Sequence, residues 1–290
     1  NSGLFGCLQP PNCHILSYRH THPRTRRRER DMSGPPTRFP RTPHLAGRGA
    51  AAATSDDVVL STRESDLLLR GEDGDEVVVE EKVDGANVGI SLTANGQLCV
   101  TNRSHAADLS HGRGLSKMPR WLEQHHGELA ALLGGGFVLY GEWLQLKHTV
   151  PYLGLPDWFL AFDLFDTERQ VFLAASARDS ALREHAPSLR SVPRVGAGAC
   201  DTSREGLLAL LRSTESAYRT DGGMPEGLVV RVERGGVLRR RAKLVDPKFK
   251  QSVDATGHWM HQHRTLNAVR PDLWQPPAAG EGARGEGAGG

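Results

Sequence analysis

The sequence is poor in cysteine and contains no long hydrophobic run. Its four cysteines stand at positions 7, 13, 99 and 200 without a CxxC pair, so their spacing indicates neither a zinc site nor a disulfide framework. With so few cysteines, a reducing compartment is the default expectation. A helix that spans a membrane needs about 20 consecutive apolar residues, and no such run occurs. We therefore expect no membrane partner.

Charge is nearly balanced overall but not locally. The net charge is +2, yet the first 50 residues carry nine arginines against only Glu29 and Asp31. The run RTRRRER at 24–30 lacks aliphatic periodicity, which predicts that residues 1–38 form a disordered basic arm. Three explanations stay open: an organelle transit peptide, an electrostatic arm for nucleic acid, or a gene-model artefact upstream of a start at Met32. Without a transit role, an intracellular, cytoplasmic location is the default.

The rest of the chain divides by composition. Residues 273–290 end in a low-complexity run of glycine and alanine and are predicted to be a flexible tail. Residues 39–272 then form one domain, which is long enough to bury its own core. No internal repeat is present. We expect a monomer.

Seven strands are predicted from β-branched runs and from alternation of apolar and polar residues. They lie at 76–83, 87–92, 97–103, 137–144, 158–166, 226–234 and 237–245. The dipeptides NG at 95–96 and GG at 235–236 indicate hairpins, and DG at 84–85 is a further turn signal.

Four helices are predicted. They lie at 119–133, at 176–185, at 203–212 and, as a closing helix, within 258–269. The third is expected to begin with a capping box formed by Thr202 and Glu205. Strands in consecutive runs with helices between them predict an α+β fold with antiparallel sheets flanked by helices, rather than a parallel βαβ sheet.

The sequence EKVDG at 81–85 has two interpretations. An isolated motif of this kind is most often a charged, solvated hairpin turn. Alternatively, Lys82 is a nucleophile and Gly85 lets a nucleotide approach the backbone. A lysine that attacks an α-phosphate must be uncharged, so nearby cations or a metal must lower its pKa. The phosphates also need cationic side chains and a divalent ion held by carboxylates.

Side chains of each required type lie in predicted strands or at their ends. Arg241 and Lys243 are two residues apart on one strand, so they point to the same face. Glu142 lies within an apolar strand, where a carboxylate needs a partner. Taken singly, Phe162 is a core residue, but the joint presence of these types favours a nucleotide site. The set is Lys82, Arg103, Glu142, Phe162, Glu226, Arg241 and Lys243.

Six motifs occur in a fixed order: EKVDGAN, TNR, LYGEW, FDLFD, EGLVVR and RAKLV. This ordered set resembles the motifs of the covalent nucleotidyltransferases, which are the polynucleotide ligases and the mRNA-capping guanylyltransferases. Within them, the chain resembles the ATP-dependent RNA ligases related to the second RNA ligase of T-even phages, and most of all compact bacterial-type members. The segments FPRTPHL at 39–45 and KHTVPYLGLPDWFLAFD at 147–163 also resemble this group.

The resemblance covers about residues 39–269 and implies a nucleotidyltransferase (ligase adenylylation) fold. It implies that Lys82 attacks the α-phosphate of ATP to form lysyl-AMP. The AMP would pass to a 5′-phosphate RNA end, and a 3′-hydroxyl would then seal the strand, a reaction suited to RNA repair. The implied binding residues are Glu81 and Val83 for adenine through the backbone, Asn87 and Arg103 for sugar or phosphate, Glu142 for ribose, Phe162 for stacking on adenine, Arg241 and Lys243 for phosphate, and Glu226 for Mg²⁺ or Mn²⁺.

Competing functions stay open within and beyond this group. The chain continues for 47 residues after Lys243, too few for the OB barrel that DNA ligases and guanylyltransferases usually carry there. We therefore expect no C-terminal OB barrel and favour an RNA ligase. A DNA ligase, a capping-type nucleotidyltransferase and a non-catalytic nucleic-acid-binding relative are the alternatives. Arg241 replaces the lysine usual in relatives, which keeps the charge but changes the geometry.

Overall fold

The computed structural model describes residues 15–16, 39–47, 57–103, 107, 109, 114–195, 201–246 and 265–270. Its strands are β1 (Ile15–Leu16), β2 (Glu76–Lys82), β3 (Ala86–Leu92), β4 (Leu98–Asn102), β5 (Phe137–Trp143), β6 (Phe159–Asp166), β7 (Val171–Phe172), β8 (Arg190–Ser191), β9 (Gly227–Arg234) and β10 (Val237–Val245). Its helices are α1 (Thr62–Arg70), α2 (Met118–Leu133), α3 (Ala175–His185) and α4 (Arg204–Ser213). All seven predicted strands and the first three predicted helices are confirmed, to within one residue at either end.

The strands form two sheets. Sheet A has the order β1-β4-β3-β5-β6-β7, with β8 also paired to β6, and sheet B has the order β10-β9-β2. Among the named strands of the described residues, every pairing is antiparallel except β6 with β8. The predicted α+β class with antiparallel sheets is confirmed.

The chain changes sheets at the DG turn signal. β2 pairs with β9 in sheet B, whereas β3 pairs with β4 and β5 in sheet A. The segment is therefore not a hairpin turn. A Cβ added to Gly85 would lie 2.6 Å from the Trp143 carbonyl oxygen and 2.7 Å from Leu144 Cδ2. Gly85 thus makes room for the end of β5 rather than for a nucleotide.

The two predicted hairpins are present. β3 and β4 pair across the NG dipeptide, and β9 and β10 pair across the GG dipeptide. Gly235 and Gly236 have φ values of 60° and 77°, the left-handed conformation that a two-residue type I′ hairpin needs at both positions.

Each sheet buries one face against a pair of helices. Helices α2 and α3 pack on sheet A, and their apolar residues join those of β3, β5 and β6 in one core cluster. Helices α1 and α4 contribute Leu68, Leu69, Leu207 and Leu211 to a second cluster with the apolar residues of β9 and β10. None of the described helices is long and apolar enough to cross a membrane.

The helix predictions need three corrections. Helix α1 was not predicted, although Ser61 and Glu64 form its capping box. Helix α4 is capped by Ser203, whose side chain accepts a hydrogen bond from the Gly206 N–H, so the predicted Thr202 capping box is wrong. The closing helix is wrong over 265–269, which is extended and pairs with the β5–β6 connection through Leu266 and Val269. The rest of that predicted helix lies outside the described residues.

Candidate active site

A cavity lies between the two sheets, and nine of the ten predicted site residues line it: Glu81, Lys82, Val83, Asn87, Arg103, Glu142, Phe162, Arg241 and Lys243. The tenth, Glu226, immediately precedes β9, and its carboxylate contacts the Lys82 amine. Sheet B supplies Lys82, Arg241 and Lys243, whereas sheet A supplies Asn87, Glu142 and Phe162. The topology therefore brings together motifs that are far apart in sequence.

The Lys82 amine forms an ion pair with Glu226. Burial alone would lower the pKa of Lys82, but the carboxylates of Glu226, Asp84 and Glu142 outweigh burial and raise the pKa to about 12. Lys82, at the end of β2, is therefore protonated in the absence of nucleotide. The expectation that neighbouring groups lower its pKa is not met by the protein side chains alone.

Two glutamates lie beside this amine. Glu142 accepts a hydrogen bond of 3.1 Å from the Gly85 N–H, which answers the need for a partner within an apolar strand. Burial raises the pKa of Glu142 and of Glu226 to about 7, against the opposing effect of the Lys82 charge. These carboxylates interact electrostatically with the amine and with Asp84. The amine and the acidic groups thus form one coupled cluster.

Asp84, the acidic residue of EKVDG, holds the backbone around the site. Its carboxylate accepts hydrogen bonds from the N–H groups of Thr149 at 2.6 Å and Val150 at 3.0 Å. Its own N–H donates to the Tyr152 hydroxyl at 2.9 Å. Asp84 therefore fixes the crossover between the sheets to the segment that follows β5.

Arg241 and Lys243 both line the cavity, as their spacing on one strand predicted. Lys243 Nζ donates to Asp57 Oδ1 at 2.8 Å, and Arg241 Nη1 donates to Asp163 Oδ2. Burial lowers the pKa of each base, and the paired carboxylate acts in the opposite direction. Asp57 and Asp163 both line the cavity, and neither was predicted from the sequence as a site residue.

The protein residues that were predicted to contact adenine or the sugar offer different groups to a ligand. The Glu81 carboxylate accepts hydrogen bonds from Ser216 Oγ and the Ala217 N–H, which leaves only its backbone for the predicted adenine contact. The Phe162 ring packs edge-on against Phe39 with centroids 5.1 Å apart. Asn87 Oδ1 is buried without a hydrogen-bond partner among the described residues. An unpaired buried acceptor costs about 1–3 kcal/mol, which a ligand hydroxyl would recover.

Comparison with known proteins identifies the family. The family model described as RNA ligase matches residues 75–245, which is more than half of the 290 residues and includes every predicted site residue. The chain belongs to the RNA ligase family. No curated protein sequence matches it.

One of the matching solved structures has a TM-score above 0.5 and supports the fold of this family. Naegleria gruberi RNA ligase with PPi matches with a TM-score of 0.52 and 16% identity, over 77% of this chain and 64% of that one. A variant of the same ligase with AMP and Mn matches with a TM-score of 0.49 and 16% identity, over 64% of this chain and 55% of that one. This RNA ligase family member therefore spans between about half and two thirds of the length of those ligases.

A buried ionic network that was not predicted from the sequence borders the cavity of this RNA ligase family member, and Glu80, Asp163 and Arg231 line that cavity. Arg231 on β9 donates to Asp163 at 2.7 Å and to Glu233 at 2.6 Å, and lies 3.7 Å from Glu80. Arg178 on α3 donates to Glu80 at 2.8 Å. Both guanidiniums also donate to the Phe162 carbonyl oxygen. The network joins β2 and β9 of sheet B to β6 and α3 beside sheet A.

The signal for this network was present in the sequence. Glu80, Asp163 and Arg231 each stand inside an apolar strand, and a buried charge needs a partner. The same reasoning singled out Glu142. However, the sequence does not show which opposite charges meet, because the partners come from different sheets.

Proposed function

We propose that this chain is an ATP-dependent RNA ligase. Lys82 forms lysyl-AMP, the AMP passes to a 5′-phosphate RNA end, and a 3′-hydroxyl seals that end, as in the repair of broken RNA. The observation that carries the proposal is the cavity, where the Lys82 amine and buried carboxylates are gathered with the cationic Arg241 and Lys243.

The ligands of the Naegleria ligase support the choice of nucleotide. That protein has been solved with ATP and Mn, with AMP and Mn, and with PPi. ATP is the substrate of the proposed first step, AMP is the transferred group, and PPi is the leaving group. The proposed step at Lys82 would thus consume ATP, retain AMP on the lysine and release PPi.

The acidic cluster fits a divalent cation. Glu226 offers carboxylate oxygens, the ligands that Mg²⁺ and Mn²⁺ prefer. Among the described residues, no group of three or more His, Cys, Asp or Glu side chains is arranged to hold a metal. Phosphate oxygens and water would complete the coordination, as is usual for Mg²⁺ in phosphoryl-transfer sites. When bound, the cation supplies positive charge to the carboxylates and the phosphates.

Lys82 must lose a proton from Nζ to solvent water before it can attack. Glu226 is the strongest of the charges that raise its pKa, so drawing that carboxylate away from the amine favours the neutral form. A bond then forms between Nζ and the α-phosphorus, and the bond from that phosphorus to the pyrophosphate oxygen breaks. Arg241 and Lys243 stabilise the negative charge that leaves with pyrophosphate.

The other site residues bind and orient the nucleotide. Asn87 Oδ1 offers its unpaired acceptor to a ribose hydroxyl, and Glu142 is a second acceptor. Phe162 offers an aromatic surface to the adenine. Val83 and the backbone of Glu81 border the same cavity. Arg103, at the end of β4, supplies a further cation for phosphate or for the RNA end.

The test is covalent labelling. The protein is incubated with Mg²⁺ and α-labelled ATP or, separately, α-labelled GTP, and is then run on a denaturing gel. Wild type should carry label from ATP, and pyrophosphate should remove it. Lys82→Ala should carry none. Lys82→Arg is the matched control, because it keeps a cation beside Glu226 without a lysine nucleophile, and it should also carry none.

The other outcomes separate the alternatives. Label from GTP alone would move the protein to the capping-type class. Absence of label in folded wild-type protein would refute the catalytic proposal. Joining of 5′-phosphorylated RNA, compared with the same strand as DNA, then tests the nucleic-acid substrate.

A further inference from the structure

Three separate chain segments converge on the Arg241 side chain. Its guanidinium carbon lies 4.3 Å from the ring centroid of Phe39 and 4.6 Å from that of Phe172. The two rings are 5.8 Å apart and inclined at 79°, so they form a corner around the cation. Asp163 on β6 contacts the Nη1 atom. Phe39 precedes α1, Phe172 ends β7 and Arg241 lies on β10.

This arrangement leaves most of the guanidinium donors available. Arginine carries five N–H donors in a planar fork. Among the described residues, the only hydrogen bond of the Arg241 side chain is the one from Nη1 to Asp163. Because Arg241 lines the cavity, its remaining donors are the groups that a phosphate there can accept from.

An aromatic corner suits arginine in particular. A guanidinium is more weakly hydrated than an ammonium and packs its flat surface on aromatic rings. A partly buried contact of this kind stabilises the cation and restricts its orientation. Two rings at a steep angle and one carboxylate restrict it from three sides. A lysine at position 241 would keep the charge but would lose the planar fork.

The geometry points to Phe172 as a positioning residue that, with Phe39, fixes Arg241 as a two-pronged donor for a phosphate group of the nucleotide. Phe172 is not among the residues that line the cavity, so its effect on a ligand must pass through Arg241. This inference rests on the proposed function for the identity of the ligand, a nucleoside triphosphate. It adds a residue that no motif indicated.

Simple core packing is the competing explanation, and the same aromatic cluster provides a control. Phe165 packs on Phe172 with ring centroids 4.8 Å apart and belongs to the same apolar cluster. Like Phe172, Phe165 does not line the cavity. The Arg241 guanidinium packs on the rings of Phe39 and Phe172. Phe165→Leu therefore removes a ring from the cluster without removing one from Arg241.

The experiment compares wild type, Phe172→Leu, Phe165→Leu, Arg241→Lys and the Phe172→Leu/Arg241→Lys double variant. Two quantities are measured on the full chain: the Kd for ATP with Mg²⁺ by calorimetry, and the single-turnover rate constant of self-adenylylation. Thermal unfolding of each variant shows that it is folded. Phe172→Leu should weaken ATP binding by roughly 5- to 30-fold, the range that one desolvated cation–π contact covers. Phe165→Leu should change the Kd by less than about twofold.

The double variant separates positioning from packing. If Phe172 acts through the guanidinium, Phe172→Leu should have little further effect on the Kd once Arg241 has been replaced by lysine, because coupled residues are non-additive. If Phe172→Leu causes equal losses in wild type and in the Arg241→Lys variant, the inference is overturned. Equal losses from Phe165→Leu and Phe172→Leu would overturn it as well.

The two proposals fail separately. ATP binding that depends on Phe172 and Arg241 in a protein that forms no covalent adduct would refute the ligase reaction and leave the inference standing. Adduct formation at wild-type rates and wild-type Kd in Arg241→Lys and Phe172→Leu would refute the inference alone. A wild-type protein that binds neither ATP nor inorganic pyrophosphate would refute both.

Discussion

Replacing Arg231 by methionine should be among the most destabilising changes in this chain. The Arg231 side chain is 1% exposed, and it binds the carboxylates of Asp163 and Glu233 at 2.7 and 2.6 Å. It also donates to the Leu173 carbonyl oxygen at 3.0 Å. Methionine has similar length but no donor, so the buried carboxylates would lose their principal partner. Breaking a buried ion pair from one side costs about 3–5 kcal/mol.

That cost is a large part of the whole stability, which for a domain is about 5–15 kcal/mol. The matched control is Arg239→Met. Arg239 is exposed on β10, the strand next to β9, and exposed substitutions usually change stability by no more than about 0.5 kcal/mol. Urea unfolding followed by circular dichroism gives both free energies of unfolding, provided that the m-values agree. A difference of less than about 1 kcal/mol between the two variants would show that the network does not hold the sheets together.

Three further changes test local features. Gly85→Ala should destabilise the fold by about 1–3 kcal/mol, because the added Cβ has no room. Gly127→Ala, whose Cβ meets open space on α2, should stabilise the fold by about 0.5–1 kcal/mol. Equal melting temperatures of the two variants would contradict this. Ser203→Ala should lower the free energy of unfolding by about 1 kcal/mol, because Ser203 caps α4. Thr202→Ala should leave that free energy almost unchanged. The reverse order in urea unfolding would show that Thr202 is the cap. Burial raises the pKa of Glu81 above 4.5, so the folded state holds this proton more tightly, and stability should fall as pH rises from about 4.5 through the raised pKa. Glu81→Gln should make that fall smaller and leave the part that Glu142 and Glu226 contribute. A pH profile of stability that is the same in wild type and Glu81→Gln would exclude a raised pKa of Glu81.

Most of the secondary structure could be predicted because its signals are local. Alternation and β-branched runs depend on neighbours two residues apart, and they placed seven strands to within one residue. The hairpins followed from glycine and asparagine, whose conformational preferences are intrinsic. Helix α1 was not predicted, although its S-x-x-E capping box at Ser61 is a local signal for the start of a helix.

Errors arose where distant contacts outweigh local preference. The DG dipeptide has the composition of a hairpin, but pairing of β2 with β9 sends the chain into another sheet. Residues 265–269 have an apolar pattern suited to a helix, but they pair with the segment that follows β5. Tertiary contacts commonly override propensity in this way.

The residues of the candidate site could be predicted better than their electrostatics. Nine of the residues predicted from the ordered motifs line one cavity, because the order and spacing of the motifs reflect the fold. The pKa of Lys82 could not be predicted, since it depends on a contact with Glu226, 144 residues away in sequence. We expected nearby cations or a metal to lower the pKa of this amine, whereas the carboxylates of Glu226, Asp84 and Glu142 raise it.

The crossover between sheets has a mechanical consequence for this protein. Lys82 ends a strand of sheet B, and Ala86 begins a strand of sheet A, so the walls of the cavity belong to two separately stacked layers. A ligand that touches both walls acts as a removable cross-link between those layers. Its binding energy would add to their resistance to separation, by about 2.7 kcal/mol at a concentration 100 times Kd. Occupancy should therefore slow amide hydrogen exchange throughout β2, β9 and β10, well beyond the ligand itself.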